Sequence, residues 1–441
     1  MVRQASDLNH RERGDHENVE AQHAASLHHT ALQARLESAF NFAQGQVRRL
    51  VEAHPDYFPM YSVEGRWKHA GEAWTNWCEG FLGGMSWIFH RRTGDPWWRA
   101  QAEHYSRLIE GRKHDREVHD LGFLFWPTWK KWYDLTGDQA VHEVVITAGR
   151  TLGLRFKEKG GYCCSFLADE SLFIDIMMNV GIIFYAAQQT GDQDLLEKAH
   201  RHCRTTRRYL VRGDGGTAHE GIFDTETGEF LRQSTQQGWR ADSTWARGLT
   251  WALYGFGEVY RLTGDLRYLD TARLCADFYL RNTPFEEDAP GGPGVPPNDY
   301  DDPAQSGSGY HEKIEKVSGP GSGYHEKIEK VSGLNLFDSS AAAIAAGGLL
   351  NLAELVQDPL HAEAYLKKAL TILHTLTGPD YLANEDPPNR GGISWEGILK
   401  HGVYHLPKNL GVDESVMWGE YFFVEALDRA LALPLPEREP Q

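Results

Sequence analysis

The stretch that decides the fold is Trp251-Ala252-Leu253-Tyr254-Gly255-Phe256, Thr263-Gly264-Asp265 and then Tyr268-Leu269 through Leu274. One apolar helical pattern runs into a Thr-Gly-Asp tripeptide and another runs out of it. Glycine suits the left-handed position after a helix C-terminus, and aspartate suits the N-cap of the helix that follows. The tripeptide therefore reads as the tight link of an antiparallel helix pair. It recurs at Thr93-Gly94-Asp95, Thr136-Gly137-Asp138 and Thr190-Gly191-Asp192, with a degenerate copy at Gln357-Asp358-Pro359. Helical hairpins repeated in this way, with little period-two alternation between them, predict either an open solenoid of hairpins or its closed form, an α/α toroid.

Between the last two links the pattern breaks. Residues 284–303 are rich in Pro, Gly and Asp and read as a loop. The string GSGYHEKIEKVSG then occurs at Gly307–Gly319 and again, unchanged, at Gly321–Gly333. Natural repeats drift, so an identical pair with Gly-Ser starts reads as an insertion, engineered or recently duplicated. The expected organisation is a polar, His-rich arm over 1–30 and one folded domain over 31–432, interrupted by the 304–333 insertion.

The 441 residues carry a formal charge of −17, which disfavours a nucleic-acid partner because phosphates require a basic face. No apolar run is long enough to span a bilayer. No export signal is read in the polar N-terminus, and the expected location is the cytoplasm. Cys78, Cys163, Cys164, Cys203 and Cys275 are odd in number and lack CxxC spacing, so they are expected to be reduced thiols. No HExxH string or clustered ligand spacing marks a metal site, and no cofactor is expected.

Two carboxylates stand out. Asp175 sits inside the apolar run Ser171–Asn179, which reads as helical; burial there raises a carboxyl pKa and keeps a proton available near neutrality. Asn179, one turn on, is placed to hold that carboxyl. Asp120 directly precedes a helix expected over Leu121–Leu135, where N-capping alone would explain it. A denser set follows: His219, Gln237, Arg240, Asp242, Trp245, Arg247 and Trp251. Trp faces stack on pyranose rings and Arg matches a carboxylate, although a Trp stripe at helical spacing is more often core than site.

Several strings resemble glycoside hydrolase family 88, the unsaturated glucuronyl hydrolases. They are Gln237-Gly238, Asp242-Ser243-Thr244-Trp245-Ala246-Arg247-Gly248, Asp338-Ser339-Ser340-Ala341-Ala342-Ala343, His401-Gly402-Val403-Tyr404-His405, Gly411–Ser415 and Trp418–Phe422. The likeness covers roughly residues 35 to 430 outside the insertion. It implies an all-α, (α/α)6 barrel and hydration of the C4=C5 double bond that a polysaccharide lyase leaves in a terminal uronic acid. By that resemblance Asp175 is the general acid and base and Asp120 the second essential carboxylate. Trp74, His219, Gln237, Trp245, Arg247, Trp251 and Tyr404 are the substrate-contacting positions, with Trp77 competing for the role of Trp74.

The sequence departs from the family twice. The loop Gly161–Phe166 lacks the Trp common upstream of the acid, which puts stacking on the leaving sugar in doubt. The stretch His405-Leu406-Pro407-Lys408-Asn409-Leu410 lacks the serine and lysine pattern some members use for sulfate, so an unsulfated oligosaccharide is the expected substrate. An unsaturated rhamnogalacturonyl hydrolase, an inverting glycosidase and a non-catalytic sugar-binding protein or carrier of the inserted peptide are the alternatives.

Overall fold

A computed structural model describes residues 30–69, 76–303, 336–384 and 395–433. The expected N-terminal arm, apart from Thr30, lies outside the described residues, as do Trp74 and the tandem repeat.

Twelve helices build the described chain. Residues 30–53 form α1, followed by α2 (Glu79–Thr93), α3 (Pro96–Leu108) and α4 (residues 121–136). Next come α5 (Gln139–Gly153), α6 (Gly181–Thr190), α7 (Gln193–Leu210), α8 (Ala246–Thr263) and α9 (Leu266–Asn282). The last three are α10 (Ser339–Leu355), α11 (Pro359–Leu376) and α12 (Met417–Leu431). Midway along α4, Trp126–Lys130 forms one wide π turn.

Burial sorts them into two layers. Nearly every residue of α2 from Gly80 to Phe89, of α8 from Ala246 to Gly257 and of α10 from Ser339 to Leu352 is buried. In α3, α7, α9 and α11 burial is confined to one stripe. A helix apolar all round lies inside, and one apolar on a stripe lies outside. The inner helices α8, α10, α12 and α2 touch in turn, and α4 and α6 complete the ring. In the outer layer α1 packs Phe40 edge-on against Phe89 of α2, centroids 5.3 Å apart. The fold is the closed toroid, an (α/α)6 barrel, rather than the open solenoid.

The Thr-Gly-Asp links are built alike. The threonine hydroxyl donates to the carbonyl four residues back: Phe89, Trp132, Ala186 and Val259, at 2.7–2.9 Å. Each glycine has a φ between 66° and 71°, the left-handed conformation in which a Cβ is strained. Each aspartate then caps the next helix, accepting from Trp97, Ala140, Leu195 and Arg267 backbone N–H groups at 2.8–3.0 Å. Asp358 does the same for Leu360 at the degenerate copy, 3.1 Å.

The opposite end carries what the sequence did not reveal, a set of short antiparallel strands. Ser171–Phe173, Glu220–Phe223 and Phe230–Ser234 form a three-stranded sheet, and Gly402–His405 pairs with Leu410–Glu414. All five cysteines are buried free thiols. Among the described residues no helix is long and apolar enough to cross a membrane.

Candidate active site

Asp175 does not lie in an α-helix as the apolar run suggested. The run splits into strand Ser171–Phe173 and a 3-10 turn, Ile174–Met178, before α6 begins. Pairing of Phe173 with Glu220, and the Ile174 N–H bond to the His219 carbonyl at 2.9 Å, set Asp175 beside His219. The turn rests on α8 at Gly255, where a Cβ would come within 2.5 Å of the Met177 carbonyl oxygen.

Asp120 occupies the N-cap position of α4, yet its side chain makes no cap hydrogen bond. Capping therefore does not account for it. Asn179 also differs from expectation: its Oδ1 accepts the Phe123 N–H at 2.8 Å and its Nδ2 donates to the Asp175 backbone carbonyl at 3.2 Å, so it holds backbone and not the carboxyl.

The two carboxyls open on one cavity of about 300 Å3. Its walls include Trp77, Phe123, Phe166, Phe173 and Tyr404, with Gln236, Gln237, His119, His405 and Lys408 as polar groups. Asp120 is 4% exposed, and burial together with the charge of Asp175 pushes its pKa up to about 8. Burial raises Asp175 to about 6, against the opposing pull of the Arg247 guanidinium. The Trp251 indole nitrogen, which makes no hydrogen bond of standard geometry, lies near enough to Asp175 to favour its ionised form. Two carboxyls with raised and mutually dependent pKa values retain one proton between them near neutral pH.

His219 is held neutral. Its Nδ1 accepts from the Gln236 and Gln237 N–H groups at 3.1 and 3.4 Å, and burial drives its pKa well down. The proton is thereby assigned to Nε2, which faces Asp175 Oδ2 at 3.6 Å. Both atoms are buried without a hydrogen-bond partner, a costly state unless a third group bridges them. His119 is neutral for the same reasons: Nδ1 accepts from Phe166 N–H at 3.0 Å, and Nε2 lies 3.4 Å from Asp120 Oδ1.

Gln237 and Tyr404 line the cavity. Arg247, Trp245 and Trp251 do not line it; they form the layer behind, because α8 is an inner helix buried along its first turns. The Arg247 guanidinium lies between the rings of Trp245 and Trp418, 4.3 and 4.7 Å from their centroids. It donates to Gln237 Oε1, the Val403 carbonyl and the Tyr404 carbonyl. Its fork orients two cavity residues instead of presenting itself to a ligand. Trp251 packs on Phe123 at 5.1 Å and Phe422 at 5.3 Å. Trp77 does line the cavity, stacked on Trp418 at 4.8 Å.

Sequence reasoning passed over Phe166 and Leu167, which line the cavity from the loop that lacks a Trp. Phe166 stacks on His119 at 5.5 Å and 24°. The signal was present as an aromatic in a loop before the acid, but no periodicity said which way it faced. Among the described residues no three His, Cys, Asp or Glu side chains gather as a metal ion would need.

The Glycosyl Hydrolase Family 88 profile matches residues 50–282, more than half of the chain. The chain belongs to glycoside hydrolase family 88. It is a glycoside hydrolase, and among its family relatives is an unsaturated glucuronyl hydrolase from Formosa agariphila, 29% identical over 360 residues, 80% of each chain. Another from Bacillus sp. (strain GL1) is 29% identical over 403 residues, 89% of this chain and 96% of that protein. The crystal structure of an unsaturated glucuronyl hydrolase specific for heparin superposes with a TM-score of 0.75 at 26% identity, covering 90% of this chain and 97% of that one.

Proposed function

We propose that the enzyme releases a 4,5-unsaturated uronic acid from the non-reducing end of lyase-generated oligosaccharides, with Asp175 as acid and base and Asp120 as its partner carboxylate. The observation that carries this reading is that buried Asp120 and partly buried Asp175 open on one aromatic-walled cavity and hold a proton between them near neutral pH. The names of the relatives support the substrate class.

The double bond is a vinyl ether. Protonated Asp175 gives its proton to C4, and positive charge develops at C5 and the ring oxygen. Water adds to C5 as Asp175, now ionised, takes the water proton, which returns the carboxyl to its starting state. The C5 hemiketal opens to a ketone, and the hemiacetal left at C1 expels the leaving sugar. His219, Gln237 and Tyr404 are proposed to contact the uronate, as is Trp74. Arg247, Trp245 and Trp251 support that wall from behind. The turn after Tyr404 offers Lys408 but no serine hydroxyl, which favours unsulfated leaving sugars.

The test is cleavage of α- and β-linked unsaturated uronides, an unsaturated thioglycoside and the matching saturated glucuronides, followed by release of the leaving group for all of them and by loss of near-UV absorbance for the unsaturated ones. Cleavage of the first three and none of the last is expected, because C1 is never attacked directly. Hydrolysis of the saturated β-glucuronide with an inert thioglycoside would replace this reading by a two-carboxylate inverting mechanism. Parallel assays of sulfated and unsulfated disaccharides decide the leaving sugar.

A further inference from the structure

We infer that Asn179 is a positioning residue of this reaction: it clamps the segment bearing Asp120 to the segment bearing Asp175 and thereby sets the separation of the two carboxyls. The inference rests on the proposed roles of that pair.

Asp120 heads α4, in one hairpin, while the Asp175 turn leads into α6, in the next. These two segments belong to different hairpins, whose inner helices α4 and α6 are neighbours in the ring. Asn179 is fully buried where they meet. Its Oδ1 takes the N–H of Phe123, the third residue of α4, which is one of the groups an N-cap side chain ordinarily satisfies. Asn179 thus caps α4 from another segment, and the N-cap residue Asp120 is released from that duty to face the cavity. Its Nδ2 simultaneously donates to the Asp175 carbonyl. Contact is backbone to backbone: a Cβ on Gly122 would stand 2.4 Å from Asn179 Cα.

The readout follows from the charges around the pair. Asp120 is faced by Asp175 and Asp115 and, with opposite sign, by Arg112 and Arg155, with neutral His119 beside it. Asp175 is faced by Arg247 and neutral His219. Asp175 is the charge that raises Asp120 most, so a wider separation weakens their mutual influence. The pair then titrates over a narrower interval, because the upper apparent pKa falls while the lower one, set with the partner neutral, stays in place.

Asn179→Ser keeps a hydroxyl able to bond the carbonyl four residues back but cannot reach Phe123. It is expected to lower kcat by ~10-fold or more with KM within about twofold, and to narrow the bell-shaped pH profile of kcat/KM by at least ~0.5 unit. Gly122→Ala, which drives the same backbones apart, should narrow the profile likewise and serves if the serine variant does not fold. A folded variant with an unchanged pH profile, whatever its thermal stability, overturns the inference. That result is distinct from failure of the catalytic reading, which would show as activity retained in Asp175→Asn.

Discussion

At one end of the barrel the Thr-Gly-Asp links repeat the same hydroxyl, glycine and cap contacts, with glycine φ angles agreeing within a few degrees. At the other end the connections are unlike one another: a 3-10 turn carries Asp175, a helix start capped from another segment carries Asp120, and a strand pair carries Tyr404. The first end satisfies its polar groups locally. The second leaves Asp175 Oδ2 and His219 Nε2 buried without partners and holds two carboxyls with raised pKa values on one cavity. Local satisfaction stabilises a turn; polarity left unspent at a cavity wall is what a reaction can use.

That contrast is breakable in order of expected effect. Asp175→Asn should fold normally and lose at least ~10^3-fold in turnover, since an amide cannot protonate carbon. Retention of about a tenth of the rate would move the acid elsewhere. Asp120→Asn should be similarly crippled, and normal kinetics with an earlier thermal transition would mean that its role is only to start α4.

A pH profile comes next. Below about 6 both carboxyls are protonated and Asp120 is no longer the carboxylate that the proposed pair requires; above about 8 the pair has lost its last proton and none reaches C4. Activity should therefore peak between these values and fall ~100-fold two units beyond either limb. A flat profile from pH 5 to 9 would detach the pair from catalysis.

Arg247→Lys keeps the charge but loses the fork that holds Gln237 and the Tyr404 carbonyl. A drop in kcat/KM of about tenfold, ~1.4 kcal/mol, is expected. If Arg247→Lys is silent and Arg240→Lys is damaging, the assignment transfers to Arg240, which the structure places on Asp242. The smallest effect belongs to the far end: Asp265→Ala removes one cap and should cost about 1 kcal/mol of stability. Its kcat should match the parent; a changed kcat would show the two ends to be coupled.

The same contrast explains what the sequence disclosed. The links were legible because a hydroxyl, a left-handed glycine and a capping carboxylate each demand a residue type at a fixed spacing. Closure was not, because a hairpin in a solenoid and one in a ring carry the same local pattern. The carboxylates were legible as charges in apolar surroundings. Trp245 and Trp251 were not separable from Phe166 and Phe173, since an aromatic at a given position does not declare whether it faces the cavity or the wall behind. The tie between Asn179 and Phe123 spans 56 positions of sequence and two hairpins, and no local rule reaches that far.

The π turn at Trp126–Lys130 lies between these two regimes. A π turn accommodates about one residue more than an α turn, and each residue turns a helix by about 100°. Asp138, just past the far end of α4, caps the next helix as the repeat requires, whereas Asp120 at the start of α4 faces the cavity. The wide turn works as a phase adapter between the two, letting one rigid rod obey both clocks. Removing a single residue from Trp126–Lys130 would restore an ordinary helix and swing Asp120 about a quarter-turn off its target, with every link of the repeat still intact.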